Sequence, residues 1–254
     1  MTAPLVIKIG GSTLGEADTT FRDVATLAAS GDVPIVVHGG GAEASRWLEA
    51  MSIPSRFANG LRVTDERVLP VVVAVFAGLV NKRIVAAINA AGGRAVGLSG
   101  ADGRVLQCQL AGPELGFVGE PERVDARPLQ ALRDAGMIPV ISPIGCVPGE
   151  GPDQLVNVNA DTVAGDIAAA VGARELVFLT DVDGVRDADN QRIPGLTAAG
   201  AEQLVDDGVI AGGMIPKVQA CLHAVSLGVP VQIVDGRQPG ILLDRTGKGT
   251  TFGR

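Results

Sequence analysis

Short β-branched runs alternate with longer alanine-rich stretches along this chain, the pattern of an α/β protein. The runs predict strands from Leu5 to Ile9, Pro34 to Val37, Arg94 to Leu98, Met137 to Ser142, Glu175 to Thr180 and Val229 to Val234. Most are continuously apolar, as parallel strands covered on both faces are. The intervening stretches predict helices from Asp18 to Ala29, Ala42 to Met51, Asp65 to Ala91, Ala126 to Ala135, Ala160 to Val171, Ala198 to Asp207 and Gly213 to Leu227. Two segments break the alternation: Ser55 to Thr64, centred on Asn59-Gly60, and Val105 to Val124, with internal Gly and Pro. Both read as hairpins. Hairpins set into such a sheet often wall a ligand site at the carboxyl ends of its strands. No linker interrupts the pattern, so a division into lobes is expected inside it, near Gly172-Ala173.

Composition narrows the function classes. With 254 residues, 46% of them apolar, the chain can bury a large core. A net charge of −7 and the lack of a basic run argue against a nucleic-acid surface, which needs clustered Lys and Arg. The longest uncharged apolar stretch, Val68 to Val80, contains Pro70 and ends at Asn81-Lys82, too short to span a bilayer. No basic region followed by a long apolar run opens the chain, so no secretory signal is expected and the cytoplasm is the expected compartment. Cys108, Cys146 and Cys221 lie far apart and outside any CxxC, which fits reduced, buried thiols. Only two histidines, His38 and His223, exclude a histidine-rich metal site. The 35 glycines follow no period, so they mark turns and close backbone approaches.

Candidate chemistry gathers at those glycines. Lys8 closes an apolar strand just before Gly10-Gly11-Ser12, where an ammonium and bare amides suit phosphate oxygens; a solvated strand-end lysine has the same sequence. His38-Gly39-Gly40-Gly41 leads from a strand into a helix, an anion-binding arrangement in which His38 reads as a packed, hydrogen-bonded histidine. Gly39, Gly41 and Ala44 match the glycine spacing of a dinucleotide fingerprint, but the next segment is a hairpin rather than a strand closed by an acid. Gly247-Lys248 lacks the Ser or Thr of a P-loop, and the run Asp181 to Asp189 misplaces the Gly and Glu of an EF-hand. The strand end at Thr180-Asp181 suits nucleotide contacts or a tight connection. Arg62, after a hairpin turn, suits a carboxylate or the solvent. Asn157-Val158-Asn159-Ala160-Asp161 opens a helix, and one of its polar residues reads as the N-cap. Gly212-Gly213-Met214-Ile215-Pro216-Lys217 opens another, with a lysine in its first turn.

In this order, the segments resemble the amino acid kinase superfamily and, within it, the acetylglutamate kinases. The resemblance is carried by Lys8-Ile9-Gly10-Gly11, His38 to Gly41, Gly60-Leu61-Arg62-Val63-Thr64-Asp65, Val80-Asn81-Lys82, Gly97 to Gly103, Leu115 to Glu120, Asn157 to Asp161 and Gly212 to Lys217, and covers nearly the whole chain. It implies a three-layer αβα sandwich around a mainly parallel sheet, with two lobes in one chain. Residues 1–173 would bind the acyl amino acid and dimerise, and residues 174–254 would bind the nucleotide. The implied reaction moves phosphate from ATP, with Mg²⁺, to the side-chain carboxylate of N-acetyl-L-glutamate in arginine biosynthesis, without a covalent enzyme intermediate. Such transfer depends on alignment and charge neutralisation.

By the same resemblance, Lys8 and Lys217 would stabilise the migrating phosphoryl group and Asp161 would hold the lysines. Gly40, Gly41, Arg62 and Asn157 would bind acetylglutamate beneath the hairpin Ser55 to Thr64. Gly10, Gly11, Asp181, Val182, Asp183, Gly184, Val185, Arg186, Ile210, Ala211 and Met214 would line the nucleotide site. The long helix Asp65 to Ala91 would form a homodimer, and some relatives bind a PII-type signalling protein. Arginine-inhibited relatives carry a helix before the first strand, so insensitivity to arginine is expected. After the three glycines, Ala42-Glu43-Ala44 departs from the Pro-containing start common in the family. Rival readings are a lysine-biosynthesis kinase acting on carrier-linked aminoadipate or glutamate, a silent amino-acid or nucleotide sensor on the same fold, and an NAD-binding oxidoreductase.

Overall fold

The computed structural model describes residues 2–10, 19–58, 60–149, 151–212 and 214–253. In chain order the elements are β1 (Leu5–Ile9), α1 (Thr20–Ala29), β2 (Ile35–His38), α2 (Gly41–Ala50), β3 (Phe57–Ala58), β4 (Leu61–Arg62), α3 (Val68–Val73) and α4 (Asn81–Ala90). There follow β5 (Ala95–Ser99), β6 (Leu106–Leu110), β7 (Gly119–Val124), α5 (Arg127–Asp134), β8 (Ile138–Ser142), β9 (Ile144–Val147), β10 (Gln154–Asn157) and α6 (Ala160–Ala170). The chain continues through β11 (Glu175–Thr180), β12 (Gly195–Thr197), α7 (Ala198–Asp206), α8 (Met214–Ser226), β13 (Val231–Asp235) and β14 (Thr250–Gly253).

Eight strands form the central sheet in the order β12-β14-β13-β11-β1-β2-β8-β5. Every pairing in it is parallel except β13 with β14. The period of two along a strand sends successive side chains to opposite faces. On β1, Leu5, Ile7 and Ile9 enter an apolar layer with Val24 of α1 and Ile84 and Ile88 of α4. Val6 instead joins the layer formed by Val163 and Ile167 of α6 and Val218 of α8. Helices therefore cover both faces, giving three layers, and Lys8 is directed to the α6 side by the same alternation.

Strand runs that are apolar throughout fall where the sequence places them, within a residue or two. Shorter or polar strands do not announce themselves. The predicted hairpin from Val105 is extended by β9 and β10 into a second, four-stranded sheet of order β10-β9-β6-β7. β12 and β14 are three and four residues long, and long-range pairing with each other and with β13 makes them strands. The hairpin Ser55 to Thr64 is present as the β3–β4 pair.

The predicted helix Asp65 to Ala91 is a single rod, Val68–Ala90, whose middle, Ala74–Val80, widens into π-helical turns. Asp65 caps its start through Oδ1, which accepts from the amides of Arg67 and Val68 at 2.9 and 3.0 Å. Here the sequence reading needs correction. The helix continues past Asn81-Lys82 to 23 residues, and an 18-residue stretch of it has a mean hydropathy of 2.0, long and apolar enough to cross a membrane by length and composition alone. Within the protein, Val68, Val72, Val75, Ile84 and Ile88 of this rod are core residues.

Candidate active site

Two cavities open at the carboxyl ends of the adjacent strands β1, β2 and β11, the position at which parallel sheets receive ligands. The smaller, about 160 Å³, is walled by Lys8, Gly39 to Gly41, Phe57, Leu61, Arg62, Phe76, Val118, Asn157 and Asp161. The larger, about 660 Å³, is walled by Asp181 to Arg186, Val209, Ile210, Ala211, Met214, Asp235, Arg237 and Gln238.

Lys8 is 7% exposed, and its Nζ lies 2.5 Å from Asp161 Oδ1. The solvated-lysine reading is thereby excluded. Asp161 holds its place because Asn159, not Asn157, caps α6: its Oδ1 accepts from the amides of Asp161 and Thr162 at 2.7 and 3.3 Å. An acid in the first turn also suits the helix dipole.

Gly40 stands where a close approach requires glycine, since a Cβ there would fall 2.6 Å from the Phe76 ring. α2 starts at Gly41, so its first amides lack intrahelical partners, and Gly40 and Gly41 stand in the wall of the smaller cavity. The loop is held from behind. His38 Nδ1 lies 2.7 Å from the Gly39 carbonyl, and Nε2 accepts from Asn81 Nδ2 at 3.1 Å. This arrangement needs a neutral ring with its proton on Nδ1. Burial, assisted by Lys8 and Lys82, lowers its pKa from 6.5 to about 4.

A histidine neutral in the fold but protonated when unfolded costs stability as pH falls. The loss starts at the unfolded value near 6.5 and is complete below the folded value near 4. About 3 kcal/mol of unfolding free energy is expected to disappear over that window through His38. Urea titrations of wild type and His38→Gln at pH 7 and 4 check this; an equal loss in both would remove His38 as the cause.

Arg62 is 6% exposed, so it is no surface arginine. Its guanidinium donates to the Gly41 carbonyl at 2.9 Å, to Ser45 Oγ at 2.8 Å and to Ser55 Oγ, and lies 4.7 Å from the Phe57 ring centre. It thus ties the β3–β4 hairpin to the glycine loop. Asn157 Nδ2 donates to Thr64 Oγ1 at 3.0 Å, and that hydroxyl donates to the Arg62 carbonyl at 2.9 Å. This buried polar chain fastens the hairpin to the second sheet.

In the larger cavity, Gly184 has φ +138°, and a Cβ there would lie 2.5 Å from Thr250 Oγ1. That hydroxyl accepts from the Val185 amide at 2.9 Å and donates to the Ile193 carbonyl at 2.6 Å, pinning the loop to β14. Asp235, Arg237 and Gln238 were not anticipated, although Asp235-Gly236-Arg237 leaves the carboxyl end of β13 just as Asp181 leaves β11. The hydrogen bond from Arg237 lowers the Asp235 pKa.

Gly10 is placed elsewhere: its amide donates to the Leu179 carbonyl at 3.3 Å and it lines a third cavity, of about 340 Å³, beside His38 and Arg83. Gly11 lies outside the described residues. Lys217 is half-buried on the first turn of α8, one turn beyond Met214. It and Asp161 both act electrostatically on the Cys221 thiol, whose burial among them pushes its pKa well up.

Residues 3–235 match the amino acid kinase family. The chain belongs to that family. Its relatives narrow the position within it. The acetylglutamate kinase of Parasynechococcus marenigrum (strain WH8102) is 47% identical over 247 residues, covering 94% of this chain and 84% of that protein. The acetylglutamate kinase of Acidiphilium cryptum (strain JF-5) is 47% identical over 254 residues, covering 93% and 84%. Among solved structures, the N-acetylglutamate synthase of Neisseria gonorrhoeae, complexed with coenzyme A and N-acetyl-glutamate, superposes with a TM-score of 0.84 at 27% identity, over 99% of this chain and 59% of that one. This amino acid kinase is accordingly of the acetylglutamate kinase family.

Proposed function

We infer that this kinase transfers the γ-phosphoryl group of ATP to the side-chain carboxylate of N-acetyl-L-glutamate in arginine biosynthesis, and that it does so between the two cavities. The observation that carries the reading is the buried Lys8–Asp161 pair at 2.5 Å, in the wall of a small cavity that also holds Arg62, Asn157 and the glycine loop. The small cavity suits an acyl amino acid: Arg62 and Asn157 offer donors to its carboxylate and amide, and the amides after Gly40 face the accepting carboxylate. The larger cavity suits the nucleotide. Lys8 neutralises charge on the migrating group from the β1 side and Lys217 from the α8 side, while Asp161 orients Lys8. Transfer by alignment and neutralisation requires no protein nucleophile.

Mg²⁺ would arrive on the ATP phosphates, since a hard cation takes oxygen ligands. Asp161 is committed to Lys8, and among the described residues no group of three His, Cys, Asp or Glu side chains is poised for a metal. The strands of residues 1–173 and 174–254 meet at the β1–β11 pair, which supports an acyl-amino-acid lobe and a nucleotide lobe. The expected site of action is the cytoplasm.

Acetylglutamate-dependent ADP release tests the reading. Mg-ATP is supplied with N-acetyl-L-glutamate, glutamate, N-acetyl-aspartate or no acceptor, with Lys217→Ala as control. Release confined to acetylglutamate and lost in the variant is expected. A folded, ATP-binding protein that releases no ADP with any acceptor would overturn it, in favour of a carrier-linked substrate or a sensor.

A homodimer through the helical rod is part of the proposal. Pro70, Ala74 and Gly78 are exposed along it, with Leu69, Val73 and Ala77 half-buried, and Trp47 of α2 and Met51 just after α2 are exposed beside it. Sedimentation velocity is expected to give twice the chain mass, reduced to one chain by Val73→Glu. A wild type that sediments as a single chain at micromolar concentration removes the dimer.

A further inference from the structure

α6 and α8 run side by side with their amino ends together. At that end Asp161 and Lys217 both act on Cys221. One to two turns on, a Cβ on Gly165 would lie 3.3 Å from His223 Cδ2 and 3.4 Å from Ala224 Cβ, and His223 Nε2 lies 3.1 Å from Asp166 Oδ1. Two parallel helices in such register present both amino ends, and hence both dipoles, to one place. α6 precedes β11 in the chain and α8 follows it, so this seam sets where Lys217 stands relative to Lys8 and Asp161.

Among the described residues, the seam has one charged pair away from the reacting end. We propose that His223 and Asp166 are positioning residues: the protonated pair holds α8 in register against α6 and keeps Lys217 in place for phosphoryl transfer, and deprotonation of His223 releases that hold. This rests on the role given to Lys217 above.

Three features support it. His223 and Asp166 border a cavity of about 310 Å³ between the seam and β7, whose other titratable side chain is Glu120 of β7; α7, β13 and β14 bring none to it among the described residues. Asp166 acts in turn on Cys108 of β6, and α8 itself carries Lys217 and Cys221. Asp166 Oδ2 is buried without a hydrogen-bond partner, so the ring is the carboxylate's main compensation. Hydrogen bonding to Asp166 raises the His223 pKa above 6.5. The hold is thus complete below that pH and is lost as pH rises through the raised value.

His223 is 40% exposed at its side chain, so the effect is modest after solvent screening. The test is the pH profile of kcat for acetylglutamate-dependent ADP release in wild type, His223→Gln, Asp166→Asn and His223→Arg. The ratio of wild type to His223→Gln is expected to be about three- to fivefold at pH 6.5 and to approach unity by pH 9. KM values should stay within about twofold, because binding contacts are untouched. Asp166→Asn should repeat the Gln result, a second route should the Gln variant fold poorly. His223→Arg, with a permanent charge, should restore kcat and hold it at pH 9. A Gln profile that overlays the wild type, or an Arg variant no better than Gln, overturns the proposal. Absence of acceptor-dependent turnover in the wild type would instead overturn the functional reading beneath it.

Discussion

Replacing Lys8 with alanine is expected to lower kcat by about 10²- to 10³-fold, the cost of removing one preorganised charge from a transition state. The variant also strands the Asp161 carboxylate, whose partner at 2.5 Å is Lys8, and an acid left without its cation repels incoming phosphates. Loss in kcat should therefore be accompanied by weaker ATP binding, seen as a smaller ATP-induced rise in melting temperature. Lys8→Ala with Asp161→Asn relieves that repulsion. The double variant is expected to recover ATP-induced stabilisation while kcat stays low. Steady-state rates and thermal shifts decide the matter, and near-normal turnover in Lys8→Ala would exclude Lys8 from the transfer step.

Arg62→Ala is expected to act on the other substrate. The side chain donates across to the Gly41 carbonyl and to Ser45 of α2, and within the hairpin segment to Ser55, so it joins the β3–β4 hairpin to the glycine loop and α2. A charge-assisted hydrogen bond contributes about 1.5–3 kcal/mol, so losing the substrate contact and part of the hairpin's hold should raise the KM for acetylglutamate about 10²-fold. The KM for ATP should change by less than about threefold, because Arg62 lies in the small cavity and not the large one. Initial rates with each substrate varied in turn make the comparison. Equal rises in both constants would point to general damage rather than acyl-amino-acid binding.

What the sequence reveals and conceals here follows from the range of the interactions. The wholly buried strand Leu5–Ile9 is legible because burial on both faces demands continuous apolar residues. Lys8 interrupts that run, and so it stands out. Of the residues assigned to the two cavities from motif order, Gly10 lines the third cavity instead, Lys217 lines neither, Gly11 lies outside the described residues, and the others stand in the two walls. By contrast, β9 and β10 are a short local hairpin made into sheet strands by docking on β6, and β12 and β14 become strands through partners remote in the chain. The neutral His38 is legible only as a packed residue; that Asn81 is its partner depends on a helix returning beneath the glycine loop. The His223–Asp166 pair has no local signature at all. Each residue sits on an ordinary alanine-rich helix, and only the packing of one helix on the other brings them within 3.1 Å.

The place of β1 in the middle of the sheet bears on how the chain reaches its fold. Its neighbours are β2, soon after it, and β11, far along the sequence. As synthesis proceeds, the strand that carries Lys8 has only one flank occupied until the segment from Glu175 emerges and docks. An apolar strand with an open hydrogen-bonding edge is a template for pairing with other chains. Closure of that edge is a long-range contact, slow to form. The same pairing that brings the two cavities together thus makes the nascent chain most vulnerable to self-association midway through its production, when Leu5 to Ile9 still lacks its partner.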